Sequence, residues 1–252
     1  MSTRADEGSA RKVPAGTGRN GRIAPVNEHT SSATRLAGPA AVLFDLDGTV
    51  VDTIPHILAS FRHATKAVLG EQLPDDVLMH YVGVPLAAQM RYFTDDEAVA
   101  ERLLAAYREF NHRTHDEMAR LYPNTRSTLE VLAGAGLPMA IVTSKSRLMA
   151  QRAIDLFGLG AYFSAVVTAD DTPVHKPDPL PVLEGVRLLG VNPARAVYVG
   201  DSPADIESGN GAGVGTIAAT WGVASRERLE AADPDAIIDD IAELPSVLGV
   251  NT

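Results

Sequence analysis

Asp45 and Asp47 stand two residues apart in Asp45-Leu46-Asp47-Gly48-Thr49, directly after the apolar run Ala40-Ala41-Val42-Leu43-Phe44. Spacing i, i+2 at the end of a strand can turn both carboxylates toward one space. Two carboxylates that close repel unless a cation or a shared proton relieves them. Such a pair can divide labour, one attacking as a nucleophile and the other moving a proton, or it can hold a hard cation. Gly48 suits a tight turn beside a ligand. An EF-hand loop also contains Asp-x-Asp-Gly, but this chain lacks that loop's further oxygen position and its late Glu.

Three further groups have similar placement. Thr143-Ser144 follows the run Met139-Ala140-Ile141-Val142, and a hydroxyl beside the backbone N–H groups of a helix start makes an anion site or a helix cap. Lys176 lies in His175-Lys176-Pro177-Asp178-Pro179, where two prolines stiffen the chain around a point charge suited to phosphate or to crowded carboxylates. Gly200-Asp201-Ser202-Pro203-Ala204-Asp205 follows Ala196-Val197-Tyr198-Val199. Mg²⁺ prefers oxygen ligands, and Asp45 and Asp201 at neighbouring strand ends could hold it.

These side chains need a scaffold that brings strand ends together. Short apolar runs at 40–44, 139–142, 163–167, 196–199 and 216–220 read as buried strands. Helical stretches at 127–133, 149–157 and 179–189 lie between them, each closed by glycine. The expected fold class is therefore α/β, a Rossmann-like parallel sheet with helices on both faces, whose ligands bind at the C-terminal edge. Residues 54–121 break the rhythm with helices expected at 54–69, 75–81, 86–92 and 95–116. They read as an inserted α-helical cap domain over that edge, with 37–53 and 122–252 forming the core. Residues 1–36, rich in Ser, Gly, Thr and Arg, read as a disordered tail.

The 252 residues contain no cysteine, which excludes disulfides, thiolate metal sites and cysteine nucleophiles. A net charge of -10 argues against broad binding to nucleic acid or anionic membrane. The chain has neither a membrane-spanning apolar run nor a secretory h-region, so a cytoplasmic location is expected. Oligomeric state is left open. Weaker signals are His112 and His115, expected on a solvated helix face; Arg91 and Tyr92 in the insertion; and His175 beside Lys176. Gly213-Val214-Gly215-Thr216 mimics a dinucleotide fingerprint but runs into a strand and is rejected.

Acid pair, hydroxyl, lysine and second acid pair, in that order along one sheet edge, resemble the haloacid dehalogenase-like hydrolase superfamily over about residues 37–248. Asp205 to Val214 and the helical insertion look like its phosphoglycolate phosphatase subgroup. Tyr107 to Tyr122, with Val167 to Pro179, is also similar to a bacterial pyrophosphatase branch. The resemblance implies a Mg²⁺-dependent phosphatase acting on a small phosphorylated substrate. Asp45 would form an aspartyl-phosphate, and Asp47 would act as general acid and then base, its pKa raised by burial. Asp45, Asp201 and the Asp47 carbonyl would hold the metal; Thr143, Ser144 and Lys176 would bind phosphate; Asp205 would orient the metal shell. Carbon–halogen-cleaving members lack the second aspartate, so Asp47 favours phosphate chemistry. Phosphoglycolate leads, with pyrophosphatase and hexose-phosphate mutase activities as alternatives. A phospho-signalling receiver module also clusters aspartates, Thr and Lys, but it is about half this length and carries no helical cap.

Overall fold

The computed structural model describes residues 35–80 and 82–250. Strands β1 (Ala41–Phe44) and β2 (Val51–Asp52) come first, and the helical segment follows. It comprises α1 (Ile54–Leu69), α2 (Asp75–Met79), α3 (Leu86–Met90) and α4 (Glu97–Met118). The chain returns through β3 (Arg120–Leu121) to α5 (Thr125–Gly134), β4 (Met139–Val142), α6 (Arg147–Leu156), β5 (Phe163–Val167) and α7 (Leu180–Leu189). It ends with β6 (Ala196–Gly200), α8 (Pro203–Ala212), β7 (Gly215–Ala219), α9 (Arg226–Ala231), β8 (Ala236–Ile238) and α10 (Leu244–Val247).

Six strands form one sheet in the order β5-β4-β1-β6-β7-β8, every neighbouring pair parallel. β1 is central and buried on both faces. Val42 and Phe44 pack into one cluster with Ile141, Val197 and Val199, and Leu43 packs into the opposite one with Ala140, Val142 and Tyr198. That alternation is the two-residue period of a strand between two helical layers. The expected fold class holds. β8, the sixth strand, was not anticipated: three residues after Asp233-Pro234-Asp235 give no usable periodicity.

Between Asp52 and Arg120 the chain makes its helical insertion, whose base is the antiparallel ribbon of β2 and β3, with Val51 opposite Leu121 and Asp52 opposite Arg120. Two-residue strands also leave no sequence signature. α1 and α4 pack through Ile57, Phe61, Ala64, Ala100, Leu103 and Tyr107, which recur at helical three- and four-residue spacings. The short helices end sooner than expected, α2 at Met79 and α3 at Met90. Gly83-Val84-Pro85 intervenes between them and removes helix propensity.

Most of the expected tail, residues 1–34, lies outside the described residues. Its last two positions belong to the folded body: Leu36 is buried in the main cluster and Arg35 pairs with Asp235 at 3.0 Å. A single leucine at the end of a polar stretch carries no periodic signal, which is why its burial was not legible.

Candidate active site

β1, β4 and β6 are neighbours, so their C-terminal ends converge. Asp45 follows β1, Thr143 follows β4 and Asp201 follows β6. Asp45, Asp201 and Asp205 are buried, and one carboxylate oxygen from each lies within 4.8 Å of the others. Lys176 stands behind them, also buried, 3.0 Å from Asp45 Oδ1 and in hydrogen-bonded ion-pair contact with Asp205 Oδ1. Its ammonium also donates to the Tyr198 hydroxyl at 3.0 Å.

Asp205 is fully engaged. Oδ2 accepts from the Ser202 amide at 3.0 Å and from its hydroxyl at 2.6 Å, closing the capping box of α8. Asp201 accepts from Thr49 Oγ1 at 3.0 Å and from the Val223 amide at 2.8 Å. By contrast, Asp45 Oδ1 has only its ion-pair contact and no partner of hydrogen-bond geometry. Gly48, at φ +85°, is obligatory: a Cβ there would sit 2.2 Å from Asp201 Oδ2.

Burial pushes the Asp45 carboxyl up to about 7; Lys176 opposes the rise, while Asp205 and Asp47 add to it. Asp201 is driven up by burial and by the Asp205 and Asp45 carboxylates. A buried group of carboxylate oxygens this close together is a fit for a hard divalent cation, and Asp45 Oδ1 is the orphaned atom such an ion would satisfy.

Asp47 has a different environment. Lys145 Nζ lies 2.8 Å from each of its oxygens, and Thr53 Oγ1 donates to Oδ1 at 2.6 Å. Burial alone would raise its pKa, as expected from the sequence, but the Lys145 charge and hydrogen bonds outweigh burial and hold it below the usual carboxylate range. Its carboxylate is thus not part of the three-acid group. Lys145 is the residue that sequence reasoning missed. Its signal was present: a lysine directly after a Thr-Ser pair at a strand end.

A cavity of about 310 Å³ opens above Asp45 and Asp47, lined from the core by Thr143, Ser144, Lys145, His175, Asp201 and Ser202. The insertion covers it. Ser144 donates its hydroxyl to the Gly83 carbonyl at 2.8 Å, so the cap loop occupies the hydroxyl expected to meet phosphate. Lys176 does not line the cavity; it lies beneath the carboxylates it neutralises. Arg91 pairs with Glu97 at the surface, and neither it nor Tyr92 lines the cavity. His112 lines it, but His115 corrects the expectation of a solvated face: it is fully buried, edge-on to His56 at 5.7 Å, because it faces α1 rather than solvent.

The sequence model of the haloacid dehalogenase-like hydrolases matches residues 42–219. The chain is 35% identical to the pyrophosphatase PpaX of Bacillus velezensis over 210 residues, covering 83% of this chain and 96% of that protein. It is 36% identical to the pyrophosphatase PpaX of Bacillus cereus over 207 residues, covering 82% and 95%. Among solved structures, a predicted phosphoglycolate phosphatase from Haemophilus somnus superposes with a TM-score of 0.78 at 26% identity, covering 84% of this chain and 99% of that one. A haloacid dehalogenase-like hydrolase from Streptococcus pneumoniae gives 0.74 at 25%, covering 83% and 98%.

Proposed function

The chain belongs to the haloacid dehalogenase-like hydrolases, and from that premise we propose that it is a Mg²⁺-dependent phosphohydrolase that takes pyrophosphate as substrate by way of an aspartyl-phosphate on Asp45. The observation that carries this reading is the convergence of Asp45, Asp201, Asp205 and Lys176 beneath one small cavity, with Asp47 at its wall.

In this reading Asp45, Asp201 and the Asp47 backbone carbonyl would hold the metal. When bound, Mg²⁺ neutralises charge on the phosphate oxygens and on the carboxylates around it. The Asp45 carboxylate attacks phosphorus and breaks the bond to the leaving oxygen. Lys176 opposes the rise that burial imposes on Asp45 and aims its carboxylate, and Asp205 fixes Lys176 through its contacts to Ser202 and Tyr198. Thr143, whose hydroxyl accepts from the Lys145 amide at 3.2 Å, reaches the phosphate oxygens from β4. Once a substrate anion draws Lys145 from it and it takes up a proton from solvent, Asp47 passes that proton to the leaving oxygen and then takes one from the water that cleaves the aspartyl-phosphate. The helical insertion, residues 54–121, is the cap that excludes bulk water.

Two observations favour a phosphoanhydride over an alkyl ester. The relatives at 35–36% identity are named pyrophosphatases. Lys145 also keeps Asp47 ionised, and a departing phosphate, a much weaker base than an alkoxide, demands less of a general acid. Phosphoglycolate is the second reading, favoured by the name of the structural neighbour from Haemophilus somnus.

A panel of pyrophosphate, phosphoglycolate, hexose phosphates and nitrophenyl phosphate, compared by kcat/KM with Mg²⁺, tests the proposal. Pyrophosphate should lead, and Asp45→Asn should lose at least a thousandfold in kcat. Residual Asp45→Asn activity above a few per cent would remove the nucleophile assignment.

A further inference from the structure

The insertion lines the cavity with Ile57, Val82, Val84, Pro85, Leu86 and Ala87, and with the polar side chains of Gln89, Asn111 and His112. Arg108 of α4 adds a full positive charge to that surface. Arg108 and Lys145 are the lysine and arginine side chains that line the cavity. Lys145 is committed to both oxygens of Asp47. Arg108 engages no hydrogen bond or ion pair among the described residues.

Its placement follows from how α4 is held. Residues 108, 112 and 116 follow one another at single-turn spacing along the helix. Arg152 of α6 donates to the His112 carbonyl at 2.6 Å and to Asp116 Oδ1 at 2.8 Å, which fastens this strip of the insertion to the core. Arg108 therefore stands one turn from a fixed point, at the exposed rim of the cavity it lines. Asp170, also at the wall, has Oδ2 taken by the Arg147 amide at 2.8 Å.

A guanidinium presents a planar fork of donors that matches a carboxylate or a phosphate. A cavity of about 310 Å³ is at the small end of ligand sites, so a second anionic group has to lie only a few bonds from the reacting phosphorus. Resting on the phosphohydrolase reading above, we propose that Arg108 binds the end of the substrate that is not transferred, and that the substrate class is a small phosphorylated compound carrying a second anion, phosphate or carboxylate, close to the first. The Asp45 site processes the phosphoryl group; Arg108 selects what is attached to it.

Arg108→Gln and Arg108→Lys, assayed with Mg²⁺ on pyrophosphate, phosphoglycolate and 4-nitrophenyl phosphate, test the assignment. The last carries no second anion and serves as the reference. Loss of one charge-assisted contact should lower the kcat/KM ratio of a doubly anionic substrate to the reference by roughly 10- to 100-fold in Arg108→Gln, and Arg108→Lys should recover part of it. A fall confined to pyrophosphate identifies the second anion as phosphate; one confined to phosphoglycolate identifies it as carboxylate. Ratios unchanged within twofold, or equal losses on all three compounds, would overturn the assignment. Wild-type protein inert toward all three would instead overturn the phosphohydrolase reading, and the assignment with it. Arg108 is exposed and unpartnered, so the variants should melt within a few degrees of wild type.

Discussion

Lys145 sets the state in which Asp47 waits. With both carboxylate oxygens 2.8 Å from one ammonium and Thr53 donating as well, ionised Asp47 is favoured although it is largely out of water. A general acid needs the opposite state, so a substrate anion that draws Lys145 away from Asp47 would also load it for proton transfer. Removing the ammonium leaves burial in control. Lys145→Met should therefore raise the Asp47 carboxyl from below the usual carboxylate range to above it, as read by carbon-detected NMR titration of the aspartates; an unchanged or lower value would refute the pairing. Asp47→Asn should cost about 10²- to 10⁴-fold in kcat, more for alkyl phosphates than for nitrophenyl phosphate, because only the poor leaving group depends on the proton. Equal losses would remove the acid role.

Between α1 and α4 the insertion buries a polar seam inside an apolar one. His56 Nε2 lies 3.1 Å from Thr114 Oγ1, Asn111 donates to Ser60 Oγ at 3.1 Å, and His115 stacks edge-on against His56. Burial, with the positive field of Lys145, pushes His56 down to about 4, against the weaker pull of Asp47. The unfolded chain takes up this proton near 6.5. Between those values the unfolded state binds more protons than the folded one, so stability is full above pH 6.5 and declines as pH falls toward 4. His56→Gln should flatten that decline: thermal melts from pH 7 to pH 4.5 should show the wild type losing several degrees more than the variant. Parallel curves would mean that other groups carry the acid sensitivity. Arg152 links α4 to α6 through the His112 carbonyl and Asp116.

Across the whole molecule, the acid cluster is a local weakness that a cation would relieve. A ligand that binds only the folded chain stabilises it by about 3 kcal/mol at a hundredfold excess over its dissociation constant, roughly 5–10 °C for a body of this size. Millimolar Mg²⁺ should raise the melting temperature of the wild type, and Asp201→Asn should lose most of the shift. An undiminished shift in that variant would place the ion elsewhere. Leu36 is buried in the main cluster, and cutting it to alanine should cost about 2–4 kcal/mol in chemical denaturation. No helix among the described residues is long and apolar enough to cross a membrane, in line with the sequence.

The parallel sheet, its C-terminal edge and the acids at Asp45 and Asp201 could all be read from the chain, because strand runs and the polar residues that end them are local patterns. The placement of Thr143 and Lys176 near that edge was legible in the same way, but that Lys176 lies beneath the acids and not on the cavity wall was not. Other features needed the fold, since they join residues far apart in the chain: Lys145 neutralising Asp47, Asp205 anchoring Lys176 through Ser202 and Tyr198, His115 turned inward against His56, and Arg108 carried to the rim of the cavity by the latch at Arg152. A lysine or histidine looks alike in sequence whether it meets water or a buried carboxylate. Its charge state and its role follow from distance and burial, which only the packed chain sets.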